Sequence, residues 1–206
     1  MNSQNLNLHI RSLIAGPNRR RAAELAAQVR PGLNPGDRIL DIGSGTCQVA
    51  AAILAAGFDV TLLDIVDKSL TPNLHPQLFD GGRLPFPDNA FDVALLLTVL
   101  HHIPRPDDTL AEARRVATRL IIIEDVFTST AEKWATWIGD AWLNMEIFGH
   151  PHSNRSDPGW RATFDRLGLR VIQAHQQIDW FFPFRFRHAT YLLSRAESPS
   201  TDHDHA

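Results

Sequence analysis

The sequence predicts a doubly wound α/β domain, and two features carry this prediction. Residues 38–64 contain two short apolar runs, Ile39–Ile42 and Val60–Leu63, separated by a glycine-bearing turn and a helix-forming stretch. This order of strand, turn, helix and strand is typical of a parallel sheet with helical crossovers. Further segments with strand character extend the sheet towards the end of the chain: 77–80, 91–97, 120–124, 169–178 and 187–194.

Length and composition indicate one globular domain. The chain has 206 residues, of which 44% are hydrophobic, so it can bury a substantial core without a second domain. We expect this domain to span residues 1–195, with N-terminal helices at about residues 3–30. The polar stretch 196–206 is expected to be a disordered tail.

Charge, hydropathy and cysteine content exclude several classes of partner and site. The formal net charge of -3 gives no long-range attraction to nucleic acid, so no nucleic-acid partner is expected. The longest apolar run, Val93–Leu100, is too short to span a bilayer, and the N-terminus lacks the apolar core of a signal peptide. We therefore expect a cytoplasmic protein without membrane insertion. A single cysteine, Cys47, excludes intrachain disulfides and cysteine-cluster metal sites.

The turn after the first strand indicates a nucleotide-cofactor site. Gly43 and Gly45 let the backbone turn sharply and approach a ligand closely. Asp64 ends the second strand, where a carboxylate can accept hydrogen bonds from both hydroxyls of a ribose. A dinucleotide fingerprint would need glycine or alanine at the position of Gln48, so a nicotinamide-dependent oxidoreductase is disfavoured.

The same turn fits the S-adenosylmethionine pattern D-x-G-x-G-x-G, which here runs from Asp41 to Cys47. Only the last glycine departs from the pattern, being replaced by Cys47. Two interpretations of Cys47 stay open. It is either a small residue that fills a glycine position, which we favour, or a thiol at a helix N-terminus, where the dipole stabilises a thiolate beside the cofactor.

A second group of motifs lies in residues 84–116. Four short motifs stand there in order: Leu84-Pro85-Phe86, Phe91-Asp92, Leu100-His101-His102 and Glu112-Ala-Arg114-Arg115-Val116. In order and spacing, this region resembles the class I S-adenosylmethionine-dependent methyltransferases of the ubiquinone/menaquinone-biosynthesis type, the methyltransferase type 11 group. The resemblance is strong over about residues 36–126. It implies a Rossmann-like sheet of seven strands, six parallel and the last antiparallel.

The resemblance also implies which residues contact the cofactor. Asp41 would anchor the methionine end of the cofactor through hydrogen bonds, the glycine turn would pass beneath that end, and Asp64 would hold the ribose. Ile65 would pack on the adenine, and Asp80 would accept a hydrogen bond from the adenine amino group. Thr98 would offer a backbone carbonyl near the amino end of the methionine part. The full predicted set is Asp41, Gly43, Ser44, Gly45, Cys47, Asp64, Ile65, Asp80, Gly81 and Thr98.

Methyl transfer from a sulfonium requires geometry more than acid-base chemistry. The protein must hold acceptor, methyl carbon and sulfur in line and exclude water, and only some acceptors need a base. His101 and His102, which follow the fourth strand, are the predicted catalytic residues. A packing role is the favoured alternative for His102. Glu124 and Asp125 end the fifth strand as further base candidates, with capping of the next helix as their alternative role.

Aromatic residues predict an apolar or aromatic acceptor. The stretch 131–148 is typical of a helix with three tryptophans on its apolar side, for which core packing is the alternative role. Segment 179–186 holds five aromatics in eight residues, which favours a hydrophobic lid or a contact between protomers of a homo-oligomer. No metal is expected, because His150 and His152 lack a nearby third ligand. The predicted substrate contacts are Trp142, His150, Trp180 and Phe181.

Together these features predict an S-adenosylmethionine-dependent methyltransferase that acts on a small molecule, with O- or C-methylation favoured over N-methylation. The alternative is a catalytically inactive S-adenosylmethionine-binding regulatory protein. That alternative rests on Cys47 and on the lack of a convincing base.

Overall fold

The computed structural model describes residues 19–128, 153–181 and 184–196. These ranges contain seven strands: β1 Arg38–Ile42, β2 Asp59–Asp64, β3 Gln77–Leu78, β4 Phe91–Leu97, β5 Ala117–Asp125, β6 Leu169–Phe181 and β7 Phe184–Arg195. They also contain four α-helices: α1 at 19–29, α2 Gln48–Ala55, α3 Pro106–Val116 and α4 Asp157–Arg166.

All seven strands form one sheet, in the order β3-β2-β1-β4-β5-β7-β6. The pairs from β3 through β5 are parallel, whereas β7 is antiparallel to both of its neighbours. β7 must run against β6 because only two residues connect them. The predicted doubly wound, Rossmann-like sheet with an antiparallel last strand is confirmed.

The two faces of the sheet bury separate apolar clusters. On the first face, Ile123 of β5 packs in one cluster with Leu25 of α1 and Ile53 of α2. On the opposite face, Ile122 of β5 packs in the other cluster with Leu110 of α3. We call these the α1 face and the α3 face. Adjacent residues of a strand therefore point to opposite faces, as the pleat requires.

The last two strands are longer than predicted. β6 and β7 extend through most of the aromatic segment 179–186, with Trp180 opposite Arg185 and Phe181 opposite Phe184. The prediction that this segment connects two shorter strands is therefore wrong. Aromatic residues have a high β propensity, so the antiparallel pair continues almost to its two-residue connection.

The sequence Asp157-Pro158 predicts Asp157 as the N-cap of α4, with proline at the first helical position, and this prediction is wrong. The N-cap is Ser156, whose Oγ accepts a hydrogen bond from the N–H of Gly159 at 3.3 Å, and not Asp157. The carboxylate of Asp157 instead accepts hydrogen bonds from the Tyr191 hydroxyl at 2.7 Å and from Nε of Arg161 at 2.9 Å. Tyr191 on β7 and Arg161, one helical turn further on, thus bind the carboxylate that local sequence assigns to the cap.

Several predicted features lie outside the described residues: the helix at 131–148 with Trp142, the histidines His150 and His152, and the tail 197–206. Trp180 and Phe181 are described by their backbone alone. The roles of all these residues stay predictions, as do the domain limits. Within the described ranges, no helix has the length and apolar character needed to cross a membrane.

Candidate functional site

The carboxyl ends of β1, β2 and β4 meet at one edge of the sheet, and the loops that follow them form the candidate site. Ile42 lies opposite Leu63 of β2, and Asp41 lies opposite Leu95 of β4. The strand order changes direction between β1 and β4. Open parallel sheets bind their ligands at such a switch point, outside the carboxyl ends of the strands.

The loop after β1 folds back tightly onto β2. The N–H groups of Gly43 and Ser44 both donate to the carbonyl oxygen of Leu63, at 2.8 and 3.3 Å. The φ angles of Gly43 and Gly45 are 76° and 50°, in the left-handed region that favours glycine. A Cβ on Gly43 would lie 2.4 Å from Cγ2 of Val99, so only glycine fits beneath the turn that follows β4.

Asp64 ties the loops after β1 and β2 together. Its Oδ2 accepts a hydrogen bond from the N–H of Gly45 at 2.8 Å, and its Oδ1 accepts from Ile65 at 2.7 Å and from Val66 at 3.2 Å. A carboxylate has about four acceptor positions, so three backbone donors leave room for a ligand hydroxyl. This bracing of the glycine loop is a second role for Asp64, which sequence reasoning missed.

Asp41 places a buried carboxyl group under the glycine loop. Only 2% of the residue is exposed. Burial, together with the negative charge of Asp64, raises the pKa of Asp41 to about 7. A cation bound beside these two carboxyl groups would favour the ionised form of Asp41. The site therefore fits a ligand with a positive group, as S-adenosylmethionine has in its amino group and its sulfonium.

We expect the affinity for S-adenosylmethionine to rise as the pH increases through about 7. A cationic ligand gains its full attraction only when Asp41 is ionised, so binding should release a proton below this pH. Between pH 6 and 7.5 the dissociation constant should fall by about fivefold to tenfold. Titration calorimetry in two buffers with different ionisation enthalpies would measure both the affinity and the released proton.

The control for this prediction is Asp41→Asn, which has nearly the same shape and does not titrate. It should remove the additional pH dependence while leaving the titration of the ligand itself. The raised pKa of Asp41 has the opposite effect on the stability of the ligand-free protein, which it lowers as the pH rises. The reason is that Asp41 holds its proton more tightly in the folded state than in the unfolded state. The contribution of Asp41 to stability should therefore fall as pH rises from about 4 to about 7. Equal pH dependence in Asp41→Asn and the unmutated chain would contradict this assignment.

Ile65, Asp80 and Gly81 lie together at the rim of the site. Ile65 is 64% exposed, which is unusual for a large apolar side chain next to a sheet edge. A Cβ on Gly81 would lie 3.4 Å from Cγ2 of Ile65, so the two residues are neighbours. Asp80 is exposed, and its Oδ1 accepts the N–H of Gly82 at 2.9 Å. The structure thus places Gly81 beside Ile65 and next to Asp80, the two residues that the resemblance assigns to adenine.

Cys47 is the N-cap of α2 and has a left-handed backbone, with φ of 59°. This conformation explains why the motif has glycine at this position. The side chain is fully buried, and burial raises the pKa of the Cys47 thiol. The interpretation of Cys47 as a helix-stabilised thiolate is therefore wrong. Cys47 packs as a small residue in the cluster on the α1 face.

We expect the Cys47 thiol of the folded protein to react with Ellman's reagent at least about a hundredfold more slowly than in the unfolded chain. Burial blocks access, and a raised pKa lowers the thiolate fraction that reacts. Absorbance measurements in native buffer and in guanidinium chloride would compare the two rates, with no interference because the chain has one cysteine. Similar rates in both conditions would contradict the buried position.

Thr98 turns the chain sharply at the end of β4. Its φ is 53°, which is unfavourable for a β-branched residue, and its N–H donates to the carbonyl oxygen of Ile123 at 2.7 Å. The turn directs Val99 against Gly43. Backbone outliers of this kind concentrate at functional sites, which supports the predicted place of Thr98 beside the cofactor.

His101 forms a buried pair with Glu124 on the α3 face. Nδ1 of His101 lies 2.7 Å from Oε2 of Glu124, whose Oε1 accepts the N–H of Leu100 at 2.6 Å. The rings of His101 and His102 lie 4.0 Å apart between centroids. Glu124 thus fixes the short helical turn Leu100–His102 just after Thr98. The catalytic roles of both histidines stay predictions.

A second histidine–carboxylate pair joins β5 to β7. Nδ1 of His188 lies 2.6 Å from Oδ1 of Asp125, and both side chains are buried. Burial raises the pKa of Asp125, but the hydrogen bond and charge of His188, with the charges of His101 and Arg21, outweigh burial and lower it overall. Sequence reasoning missed His188, because only the register between β5 and β7 brings it beside Asp125.

Comparison with protein families and curated proteins gives matches in the same region. Residues 40–119 match the family model of a methyltransferase domain. A ubiquinone/menaquinone biosynthesis C-methyltransferase of Ectopseudomonas mendocina is 32% identical over 111 aligned residues, with 45% of this chain and 43% of that protein covered. A demethylmenaquinone methyltransferase of Renibacterium salmoninarum is 33% identical over 102 residues, with the same coverage of 45% and 43%. The chain thus spans less than half the length of these relatives.

Comparison with solved structures gives the fold. A SAM-dependent methyltransferase of Methanosarcina mazei superimposes with a TM-score of 0.66 at 15% identity, covering 82% of this chain and 97% of that chain. At this identity the likeness concerns the sheet and its helices alone. The family match and the two curated relatives confirm the resemblance predicted from the motifs.

Proposed function

We propose that this chain, which carries a methyltransferase domain of the class I S-adenosylmethionine-dependent type, transfers the methyl group of S-adenosylmethionine to a small-molecule acceptor. The observation that carries the proposal is the buried carboxyl group of Asp41 at the end of β1, close enough to Asp64 for their negative charges to repel, so a cationic group bound there would stabilise both carboxylates. Asp64 and the exposed Ile65 stand at the end of β2, where ribose and adenine would follow.

Each residue around the glycine loop would bind a different part of the cofactor. Asp41 would hold the positive amino end, and Gly43 would let the backbone pass close to the methionine part. Asp64 would accept a hydrogen bond from a ribose hydroxyl while it braces the loop through Gly45. Ile65 would cover the flat adenine ring. Each role uses a group whose charge, shape or exposure suits that part of the ligand.

S-adenosylmethionine supplies a methyl group that is already activated, so the protein has to align the acceptor and exclude water. The polar groups at the ends of β4 and β5 are buried: His101, Glu124, Asp125 and His188 are each less than 6% exposed. These buried groups would shield one side of the region next to Thr98 from water. Exclusion of water and alignment of the acceptor supply much of the rate acceleration in such a transfer.

The proposed acceptor is an aromatic compound with a weakly acidic hydroxyl group, methylated on oxygen or on a ring carbon. The names of the two curated relatives, which concern ubiquinone and menaquinone precursors, support an acceptor of the hydroquinone type. Such a compound is flat and largely apolar, and it becomes nucleophilic when its hydroxyl loses a proton. Trp142, His150, Trp180 and Phe181 stay predicted contacts for it. A cytoplasmic location and a homo-oligomeric state also stay predictions.

The proposed reaction can be tested with methyl-labelled S-adenosylmethionine and a panel of phenols, naphthols and hydroquinones. We expect label in at least one methylated product, and we expect Asp41→Asn to lower the yield at limiting cofactor. Binding of the cofactor without transfer to any member of a panel that also includes amines would contradict the proposed reaction. It would support the second candidate, a catalytically inactive binding protein, which the replacement of the motif glycine by Cys47 favours.

A further inference from the structure

Glu124 is a buried carboxylate whose two oxygen atoms both contact the turn after β4. Its side chain has no exposed surface. Oε1 accepts a hydrogen bond from the N–H of Leu100 at 2.6 Å, and Oε2 lies 2.7 Å from Nδ1 of His101. These partners are neighbours in the chain and belong to the short helical turn Leu100–His102. Glu124 therefore joins the end of β5 to one short piece of backbone.

The burial of this carboxylate is not explained by stability. Removal of a charge from water is unfavourable, and replacement of a buried ion pair by apolar residues is often neutral or stabilising. A buried charge that accepts a backbone hydrogen bond can instead select one conformation of the chain, because any other conformation leaves the charge without its partner. The conformation that Glu124 selects is that of the turn after β4.

The turn after β4 has an unfavourable backbone that must be held in place. Thr98 has a φ of 53°, in the left-handed region where a β-branched residue is strained. Contacts from the end of β5 hold the chain on both sides of the next residue, Val99. The carbonyl oxygen of Ile123 accepts the N–H of Thr98 at 2.7 Å, and the contacts of Glu124 follow directly after Val99. The position of Val99 is therefore set by β5.

Val99 connects this turn to the glycine loop. A Cβ on Gly43 would overlap the side chain of Val99, so Val99 lies directly against the Cα atom of Gly43. Gly43 in turn donates its N–H to the carbonyl oxygen of Leu63 in β2 at 2.8 Å. Because the protein interior is close-packed, a shift of the turn would either leave a gap over Gly43 or displace the loop.

We propose that Glu124 is a positioning residue for S-adenosylmethionine. By fixing the turn after β4, it holds Val99 against Gly43 and keeps the glycine loop in the conformation that binds the cofactor. The proposal rests on the proposed function and adds to it a residue that acts on the ligand through the backbone of the turn. It gives Glu124 a role different from that of a base, for which its place at the end of β5 makes it a candidate.

Calorimetric titration of the full chain with S-adenosylhomocysteine tests the proposal. Glu124→Ala removes both contacts with the turn and should raise the dissociation constant at least about tenfold. Glu124→Gln keeps an oxygen atom for the N–H of Leu100, so its dissociation constant should stay within about threefold of that of the unmutated chain. A change of less than about threefold in Glu124→Ala would overturn the proposal.

Val116→Ala is the matched control for a general loss of stability. Val116 is fully buried at the end of α3 and directly precedes β5, whose first residue lies opposite the first residue of β4. It is therefore at the edge of the sheet opposite the turn. Val116→Ala should lower the thermal midpoint but change the dissociation constant by less than about twofold. Equal weakening of binding in Val116→Ala and Glu124→Ala would overturn the proposal, because destabilisation alone would then explain it.

The connection through Val99 predicts a spectroscopic change that a loss of stability alone would not give. In the ligand-free chain, the amide ¹H and ¹⁵N resonances of Gly43 should shift in Glu124→Ala and stay in place in Val116→Ala. The double variant with Val99→Ala and Glu124→Ala should bind S-adenosylhomocysteine about as Val99→Ala does, because both substitutions remove the same contact. Unmoved Gly43 resonances or additive losses of affinity would overturn the proposal.

Glu124→Asp decides the case if Glu124→Ala unfolds. Its shorter side chain keeps the charge but does not reach Leu100 and His101 together, so binding should weaken by at least about fivefold. A change of less than about twofold would overturn the proposal. If the unmutated chain binds no S-adenosylhomocysteine, the proposed function is wrong, and the role of Glu124 falls with it. If the unmutated chain and the Glu124 variants bind it equally well, the role of Glu124 alone is wrong.

Discussion

Gly43→Ala will lower the free energy of unfolding by about 3 kcal/mol and remove measurable binding of S-adenosylmethionine. Two separate causes act at this position. The backbone has a φ of 76°, which costs a non-glycine residue about 1–2 kcal/mol, and the new Cβ would overlap Cγ2 of Val99 at 2.4 Å. Relief of this overlap would displace either the glycine loop or the turn after β4, and both border the cofactor site. Urea unfolding and calorimetry would measure the two losses.

Gly36→Ala is the matched control, because it separates the two causes. Gly36 also has a positive φ, 85°, but a Cβ there meets no heavy atom within 4 Å among the described residues. It should lose about 1 kcal/mol and bind the cofactor normally. Addition of Val99→Ala to Gly43→Ala should recover part of the lost stability. Equal losses at Gly36 and Gly43 would show that the overlap with Val99 is unimportant.

Asp64→Ala will weaken the binding of S-adenosylmethionine by about 2 kcal/mol or more, which corresponds to roughly thirtyfold in the dissociation constant. The substitution removes the proposed acceptor of a ribose hydroxyl. It also leaves the N–H groups of Gly45, Ile65 and Val66 without their carboxylate, so the glycine loop loses its brace. Both effects act in the same direction, and calorimetric titration would measure their sum.

Asp59→Ala is the control for this prediction. Asp59 is an exposed residue that begins the same strand, at the end far from the site. It should leave the affinity unchanged within about twofold, since an exposed charge at that distance contributes little. Asp64→Asn should fall between the two, because an amide oxygen can replace only part of the carboxylate. Unmutated affinity in Asp64→Ala would remove Asp64 from the site.

Most of the sheet could be predicted from local patterns, and the reason is physical. The runs at β1, β2 and β4 are apolar because these strands are buried on both faces, and turn residues mark their ends. The carboxylates Asp41 and Asp64 follow from the same local motif. Their positions at the ends of neighbouring strands are fixed once the sheet is parallel.

Features that depend on contacts between residues far apart in the chain could not be predicted from local sequence patterns. The pair of Asp125 and His188 forms through the register of two antiparallel strands, which no local pattern reports. Ser156 is the N-cap of α4, because the carboxylate of Asp157 accepts a hydrogen bond from the hydroxyl of Tyr191 on β7. The left-handed backbone of Cys47 could have been expected from the motif glycine that it replaces, whereas its raised pKa required knowledge of its burial.

The most direct test of the central claim is thermal unfolding of the chain with S-adenosylmethionine, S-adenosylhomocysteine and NAD, each at about a hundredfold excess over the dissociation constant. A ligand of the folded state then adds about 2.7 kcal/mol, which raises the midpoint by roughly 5–10 °C in a domain of this size. We predict this rise with the two adenosyl ligands and none with NAD. No rise with either adenosyl ligand, in folded protein shown to be free of carried-over ligand, would contradict the assignment of the site.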